Sequence, residues 1–281
     1  MPATASTLAF PAFQAFPVAK MRVIAVTNQK GGSGKTTTAV NLAAALGQLG
    51  RRVLVLDLDP QASASAWLGV RDGGTGLLDA LVAEDGGSLA GLIRPGSAHG
   101  VDLIPASPQL ALAERRLAET VGGDRVLLGL LRTLPRDRWD YLLIDCPPAL
   151  GQLTINALAA AGEILVPVEA STMAVAGLAG LLRTVVQARK HLNADLVVCG
   201  IFACRVDSRT VLARDVVAAL RESFPELALA TTIRESVRLR EAWGQAEPID
   251  RFAPRSSGAE DYRCLAQEIA RQEERHAVRS A

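Results

Sequence analysis

A short glycine-rich segment near the start of the chain has the residue types that bind a nucleotide phosphate chain. Its members, in order, are Lys30, Gly31, Gly32, Ser33, Gly34, Lys35, Thr36 and Thr37. The three glycines allow backbone conformations that a Cβ would forbid, so that successive N–H groups can face an anion. Lys35 can reach the β- and γ-phosphate oxygens, and the Thr36 hydroxyl can ligate Mg²⁺. The segment therefore predicts a site for a nucleotide bound with Mg²⁺.

The spacing of this loop differs from the usual Walker A pattern, which has glycine at the position that Gln29 occupies here. Lys30 follows Gln29, so a lysine stands on each side of the glycines. An apolar run precedes the loop and a helical pattern follows it, so the positive end of a helix adds to the site. The alternative is a glycine-rich turn that ends in Lys-Thr-Thr by chance. The flanking elements and the two lysines argue against it.

Three carboxylates stand at the ends of apolar segments. Asp57 and Asp59 end the run that begins at Val53, and Asp145 ends the run that begins at Tyr141. In an open parallel sheet, ligands sit beyond the carboxyl ends of the strands. A carboxylate that faces phosphate is repelled by it, so it must bind Mg²⁺-bound water or orient the attacking water. Each acid alone is more simply a turn residue at a strand end, but the phosphate loop favours the functional interpretation.

The elements that must position these residues alternate along the chain from Met21 onwards. The predicted strands are Arg22–Thr27, Val53–Leu58, Val101–Ile104, Tyr141–Ile144, Ile164–Val168, Leu196–Phe202 and Leu227–Thr231. The predicted helices are Lys35–Leu49, Gly76–Val82, Gln109–Glu119, Leu153–Ala160, Thr172–His191, Val211–Ser223 and Gly258–Arg271. Apolar strands separated by helix-length segments indicate an α/β fold with a mostly parallel, twisted sheet and helices on both faces. One domain over residues 21–281 is the simplest account.

Composition excludes several classes of protein. The formal net charge of +1 means that the molecule is not a polycation, so any nucleic-acid contact must come from a local patch. No apolar run approaches the ~20 residues that span a bilayer. The cysteines are Cys146, Cys199, Cys204 and Cys264. They form no Cys-x-x-Cys pair, which favours reduced thiols in a cytosolic protein over a disulfide framework or a zinc site.

Residues 1–20 differ from the rest of the chain. Half of the six phenylalanines fall here, at Phe10, Phe13 and Phe16, among Pro, Ala and Ser. We expect a flexible N-terminal extension, with a short partner-docking peptide as its possible function. The alternative is that Met21 is the real start. Pro11 and Pro17 interrupt its apolar run and no basic stretch precedes that run, so a signal peptide is not expected.

The motifs together resemble the ParA/MinD family of deviant-Walker-A ATPases, and the likeness extends over residues 21–272. Further matching segments are Pro167–Glu169, Asp207–Thr210, Val237–Ala242, Gly258–Tyr262 and Leu265–Ile269. They are closest to ParA (Soj-like) partition ATPases. Two places depart from the family. Ile233–Ser236 stands where many members have Ile-Pro-Arg-Asn, and Cys204 replaces a frequent Thr or Asn. Both lie where the family holds adenine.

The resemblance implies a P-loop NTPase fold, ATP and Mg²⁺ as cofactors, and a role for each motif residue. Lys30 would cross the dimer interface to the phosphates of the other subunit, where a second cation offsets developing charge. Asp59 would position or activate the attacking water. Thr36, Asp57 and Asp145 would serve the Mg²⁺ ion, Asp145 from its second sphere. Weak basal ATP hydrolysis is expected.

The function that the resemblance favours is partition or positioning. An ATP-bound homodimer would bind double-stranded DNA without sequence preference, and a ParB-like or cargo-adaptor protein would stimulate hydrolysis. The protein would be cytoplasmic and nucleoid-associated, most often serving chromosome or plasmid partition. Between residues 183 and 240 the sequence has ten cations and six acids. Among these cations we expect Arg209, Arg238 and Arg240 to contact the phosphate backbone.

Three alternatives stay open. A MinD-like ATPase that cycles on membranes needs an amphipathic C-terminal helix, and residues 271–281 are too polar for stable insertion. An iron–sulfur ATPase needs cysteines at the subunit interface. Relatives of the ParA type also position chemoreceptor clusters or carboxysomes. Residues 1–20 are too short for a helix-turn-helix, so binding to a specific operator is not expected.

Overall fold

The computed structural model describes residues 21–135, 137–171 and 174–280, and it describes no side chain at 174–176 or 274–280. The predicted N-terminal extension, residues 1–20, lies outside the described residues. So do the first two residues of the predicted helix Thr172–His191. That residues 21–281 form a single domain stays a prediction.

Seven strands form one sheet in the described part of the chain. They are β1 (Arg22–Val26), β2 (Val53–Asp57), β3 (Arg94–Pro95), β4 (Val101–Ile104), β5 (Tyr141–Asp145), β6 (Glu163–Glu169) and β7 (Val197–Cys204). Their order is β3-β4-β2-β5-β1-β6-β7. Every pairing is parallel except that of β3 with β4. The predicted α/β fold with a mostly parallel sheet is confirmed.

Helices cover both faces of this sheet. They are α1 (Lys35–Gln48), α2 (Ser63–Trp67), α3 (Gly76–Val82), α4 (Ala111–Glu119), α5 (Val126–Arg132), α6 (Gln152–Ala160), α7 (Ala174–His191), α8 (Val211–Ser223), α9 (Val237–Gly244), α10 (Ile249–Phe252) and α11 (Ser257–Ser280). One core layer lies under α1, α2 and α9 to α11. The other lies under α3 to α8. The central strands β2 and β5 are buried along their whole length, as strands covered on both faces must be.

The predicted strand Leu227–Thr231 is wrong. Its residues make one isolated parallel bridge to β7, between Ile201 and Ala228. The backbone N–H groups of Ala230 and Thr231 donate to the Glu268 carboxylate of α11, at 2.8 and 2.9 Å. Since these donors are used by a side chain, the ladder cannot continue. The segment still runs along the outer edge of β7 and returns to it where Ile233 N–H donates to Ala203 at 2.9 Å.

Other differences concern short elements and ends. The predicted helix Gln109–Glu119 begins with a 3₁₀ turn, Pro108–Leu110, before α4. The last helix runs on to Ser280, beyond the predicted end at Arg271. The two-residue antiparallel strand β3 and the helices α2, α5, α9 and α10 were not predicted.

Candidate nucleotide site

The phosphate loop joins β1 to α1 at the carboxyl edge of the sheet. Gly32 and Gly34 have φ angles of 73° and 84°, in the left-handed region that favours glycine. Gly34 caps α1, and its carbonyl accepts from the Thr38 N–H at 2.8 Å. A Cβ at Gly34 would meet the Cys204 Sγ at 3.3 Å. The loop is therefore a backbone cradle at a helix N-terminus, which suits an anion.

The two lysines of the loop are placed differently. Lys35 is buried, and its ammonium donates to the Lys30 carbonyl at 3.3 Å. Burial lowers the pKa of Lys35, and the carboxylates of Asp145 and Asp59 oppose that shift. The Lys30 ammonium instead pairs with Glu169 at the end of β6 and donates to Ser171 Oγ at 3.1 Å. Its side chain is 46% exposed. Lys35 therefore belongs to the interior of the site and Lys30 to its rim.

Asp145 ends β5 beside Asp57, its register partner on β2. Both carboxylate oxygens of Asp145 are buried, and neither has a hydrogen-bond partner of normal geometry among the described residues. Burial, and then repulsion from Asp57, raises the pKa of Asp145 well above its usual range, although the nearby Thr36 hydroxyl partly offsets the rise. An orphaned buried carboxylate is costly unless a cation serves it. These oxygens and the Thr36 hydroxyl suit a hydrated Mg²⁺ ion.

Asp57 is already engaged within the protein. Its Oδ2 accepts from the backbone N–H and the hydroxyl of Ser65, at 2.8 and 2.7 Å, and its Oδ1 accepts from the Asp59 N–H at 3.2 Å. Burial raises the pKa of Asp57 to about 6. These bonds fix the turn between β2 and α2, so a role of Asp57 in the magnesium shell stays a prediction. Sequence reasoning missed Ser65 because no motif marks it.

Asp59 faces the open side of the site. It is 9% exposed, and its Oδ1 accepts from the Gln61 N–H at 2.9 Å, which fixes the carboxylate. Asp59 lines the same cavity as the phosphate loop. The structure thus brings Lys35, Thr36 and Asp59 together, as the sequence predicts.

The cavity has a volume of about 610 Å³. Its lining consists of residues of the phosphate loop together with Asp59, Gln61, Ser63, Pro148, Cys204, Arg205, Ile233–Ser236, Leu239, Arg240 and Tyr262. A volume of this size accommodates a nucleotide. Among the lining residues, Ile233, Leu239 and Tyr262 are buried, and the Tyr262 hydroxyl lies 3.4 Å from that of Thr38. Sequence reasoning assigned none of these three a contact. Ile233 lies in a segment where the family holds adenine, whereas Leu239 and Tyr262 were marked only as members of matching family segments.

The three arginines predicted to bind DNA do not share one environment. Arg209 makes two bonds to Asp207, at 2.9 and 2.8 Å, and Arg238 pairs with Glu241 at 2.8 Å. Neither lines the cavity, whereas Arg240 does. The structure therefore separates Arg240 from the other two.

The sequence matches known proteins over most of its length. A family model described as an AAA domain matches residues 21–198. The sporulation initiation inhibitor protein Soj of Bacillus subtilis is 42% identical over 249 residues, which cover 89% of this chain and 98% of that protein. The chromosome-partitioning ATPase Soj of Thermus thermophilus is 46% identical over 251 residues, 89% of this chain and 96% of that protein. This chain belongs to the ParA/MinD family of ATPases.

Solved structures of similar proteins include an enzyme with bound nucleotide and magnesium. Cobyrinic acid a,c-diamide synthase from Mycobacterium smegmatis, solved with bound ADP and magnesium, is 34% identical with a TM-score of 0.78, covering 90% of this chain and 96% of that one. The cell division ATPase MinD of Pyrococcus furiosus is 28% identical with a TM-score of 0.72, covering 89% and 99%. ATP and Mg²⁺ are thus the cofactors of this ParA/MinD-family ATPase. Within the described ranges, no helix is long and apolar enough to cross a bilayer.

Proposed function

We propose that this protein is a ParA-type partition ATPase. Two copies join around ATP, the dimer binds DNA without sequence preference, and a ParB-like or cargo-adaptor protein stimulates hydrolysis to release it. The likeness to the chromosome-partitioning ATPase Soj of Thermus thermophilus supports chromosome partition as the role. Plasmid partition would use the same ATPase cycle on a different DNA. Action on the nucleoid would place the protein in the cytoplasm.

The observation that carries this proposal is the position of Lys30. Lys35 already supplies a buried cation inside the phosphate loop. Lys30 lies at the rim, half exposed, with its ammonium held by Glu169 and Ser171 outside that loop. A lysine so placed can leave an exposed ion pair at little cost, since such pairs are worth about 0–1 kcal/mol. It is available to the phosphates of a second copy, where it would stabilise the charge on the transferred group.

Asp59 is the proposed water-positioning residue. Its carboxylate is fixed by the Gln61 N–H and faces the cavity. Asp57, two residues earlier, already accepts hydrogen bonds from Ser65 and from the Asp59 N–H. Of the two acids, Asp59 is thus the one free to orient a water molecule against the γ-phosphate, while Thr36 and Asp145 serve the Mg²⁺ ion.

DNA contact is proposed for Arg209 and Arg238. Their side chains are 88% and 62% exposed, and they pair with Asp207 and Glu241, acids near them in sequence. The Asp207–Arg209 pair lies at the surface. Its guanidinium donates to the Asp207 carboxylate and lowers the pKa of Asp207 to about 2. A DNA phosphate can replace such an acid, and phosphate contacts need no particular base sequence. In a dimer the two arginines are presented twice.

The test is DNA binding by the Asp59→Ala variant with ATP, with ADP and without nucleotide, over a salt titration. Binding that appears only with ATP and weakens steeply with salt supports the proposal. Adding Arg209→Glu and Arg238→Glu should weaken binding on all sequences and flatten the salt dependence, by about 0.9 in log–log slope for each DNA phosphate that the protein no longer neutralises. If the protein binds DNA in none of the three nucleotide states, DNA is not the surface on which it acts. ATP-dependent sedimentation with liposomes would then favour the MinD-like alternative.

A further inference from the structure

The two arginines of α9 project from nearly opposite sides of the helix. Successive residues of an α-helix are about 100° apart, so Arg238 and Arg240 are separated by about 200°. The surroundings agree with this geometry. Arg240 lines the nucleotide cavity, and Arg238 pairs with Glu241 away from it. Two side chains so arranged serve different ligands.

Arg240 is more loosely held than the other arginines that line the cavity. Arg234 is fixed by Asp261 at 2.6 Å and by Glu260 at 2.7 Å. Arg205 pairs with Glu169 at 2.8 Å. The one ion pair that the structure shows for Arg240 is with Glu235, at 3.9 Å, and its side chain is 68% exposed. The guanidinium of Arg240 can therefore move over a ligand without breaking a strong ion pair.

The part of the cavity that Arg240 lines is the part left for the base. Lys35 and Thr36 fix the phosphate chain at the loop. Asp59 is the residue proposed at the γ-phosphate, so the base lies toward the lining residues away from Asp59 and its neighbours Gln61 and Ser63, which include Ile233, Leu239 and Arg240. Two of these, Ile233 and Leu239, are buried aliphatic side chains on which a flat ring can rest. Arg240 follows Leu239 directly and stands exposed at the rim. A guanidinium in this place can stack on the face of an aromatic ring.

We propose that Arg240, which the sequence analysis assigned to the DNA backbone, binds the nucleotide by covering the purine base. The inference rests on the cavity and on the ATPase activity. It is independent of whether the protein binds DNA.

The test compares Arg240→Ala with Arg115→Ala, a control that removes an exposed arginine of α4 outside the cavity. Affinities for ADP, for ATP and for tripolyphosphate, which has a phosphate chain and no base, are measured by isothermal titration calorimetry with Mg²⁺. We expect Arg240→Ala to weaken ADP and ATP by a similar factor, about three- to tenfold for removal of a cation–π interaction, and to leave tripolyphosphate unchanged. Arg115→Ala should change none of the three affinities.

Arg240→Lys separates stacking from charge. Lysine keeps the positive charge and loses the planar group that stacks, so its ADP affinity should lie between that of Arg240→Ala and that of the wild type. The KM for ATP should rise in both Arg240 variants with little change in kcat. Unchanged ADP affinity in Arg240→Ala would overturn the inference. An equal loss for tripolyphosphate would also overturn it, since the contact would then be to phosphate. Equal thermal midpoints establish that all variants are folded.

Discussion

At the scale of single residues, the two lysines of the phosphate loop differ in burial, and we therefore expect them to have different roles. Lys35 is buried and points its ammonium into the loop. We expect Lys35→Ala to weaken ATP binding at least about 100-fold, because each hydrogen bond to a charged group contributes about 1.5–3 kcal/mol. Calorimetry of ATP binding measures this. Lys190→Ala, which removes a lysine of α7 outside the cavity, is the control and should bind ATP normally.

Replacement of Asp59 should separate ATP binding from ATP hydrolysis. We expect Asp59→Ala to bind ATP like the wild type and to lower the hydrolysis rate by about 10²- to 10⁴-fold, the range for a positioned acid–base group. Steady-state phosphate release, with partner protein or DNA where these stimulate it, is the measurement. Glu84→Ala removes an exposed acid elsewhere and should keep wild-type turnover. Wild-type hydrolysis by Asp59→Ala would show that another residue positions the water.

Most of the site's chemistry was predictable because the residues that touch phosphate and metal are close in sequence. The glycines, Lys35, Thr36 and the strand-end acids follow from motif spacing alone. Their exact orientation was not predictable. Whether Asp57 or Asp59 faces the cavity depends on Ser65, whose backbone and hydroxyl bind Asp57 through the fold of the turn before α2. The contact of Lys30 with Glu169 likewise joins positions 139 residues apart, and no local sequence pattern around either residue indicates that the two meet.

At the scale of elements, helix α1 shows how closely the layers pack. A Cβ at Gly47, near the end of α1, would stand 2.2 Å from the carbonyl oxygen of His99. We expect Gly47→Ala to lower the free energy of unfolding by about 1–3 kcal/mol through this overpacking. Urea denaturation measures the change.

Gly129 in α5 is the matched control for that substitution. A Cβ there meets nothing within 4 Å, and the residue is exposed in a helix. Gly129→Ala should therefore raise the free energy of unfolding by about 0.5–1 kcal/mol, the helix preference of alanine over glycine. The same urea titration gives both values. A loss of stability in Gly129→Ala comparable to that in Gly47→Ala would mean that local crowding does not explain the first result.

The elements themselves were predictable where the apolar pattern is long. The strands β1, β2, β5, β6 and β7 and the helices α1, α7 and α8 follow from periodicity. The irregular structure of the segment after Phe224 was not predictable, because this segment has the composition of a strand. Two of its backbone N–H groups donate instead to the Glu268 carboxylate of α11. Helix α9 was recognised only as a family motif. Eight residues give too little periodicity, and its helical state depends on the packing of Leu239 and Ala242 into the core.

At the scale of the whole molecule, Lys30 should decide the state of assembly. We expect Asp59→Ala to form a dimer with ATP and the double variant Lys30→Ala/Asp59→Ala to stay mostly monomeric, since a cation at the second phosphate site is removed. Analytical ultracentrifugation with ATP and with ADP measures this. Binding of ADP should change little when Lys30 is replaced. An ATP-dependent dimer that persists in the double variant would place the interface elsewhere.

The two edges of the sheet have a consequence for how many copies can share a small volume. Strand β3 has two residues, one of them Pro95, which offers no N–H to an incoming chain. Along the other edge, residues 227–235 use the hydrogen-bonding groups of β7 and its continuation at Ile201, Ala203 and Val206. Both edges thus resist the intermolecular strand pairing that begins aggregation. Many copies can therefore be present at high local concentration without strand pairing at the edges of their sheets.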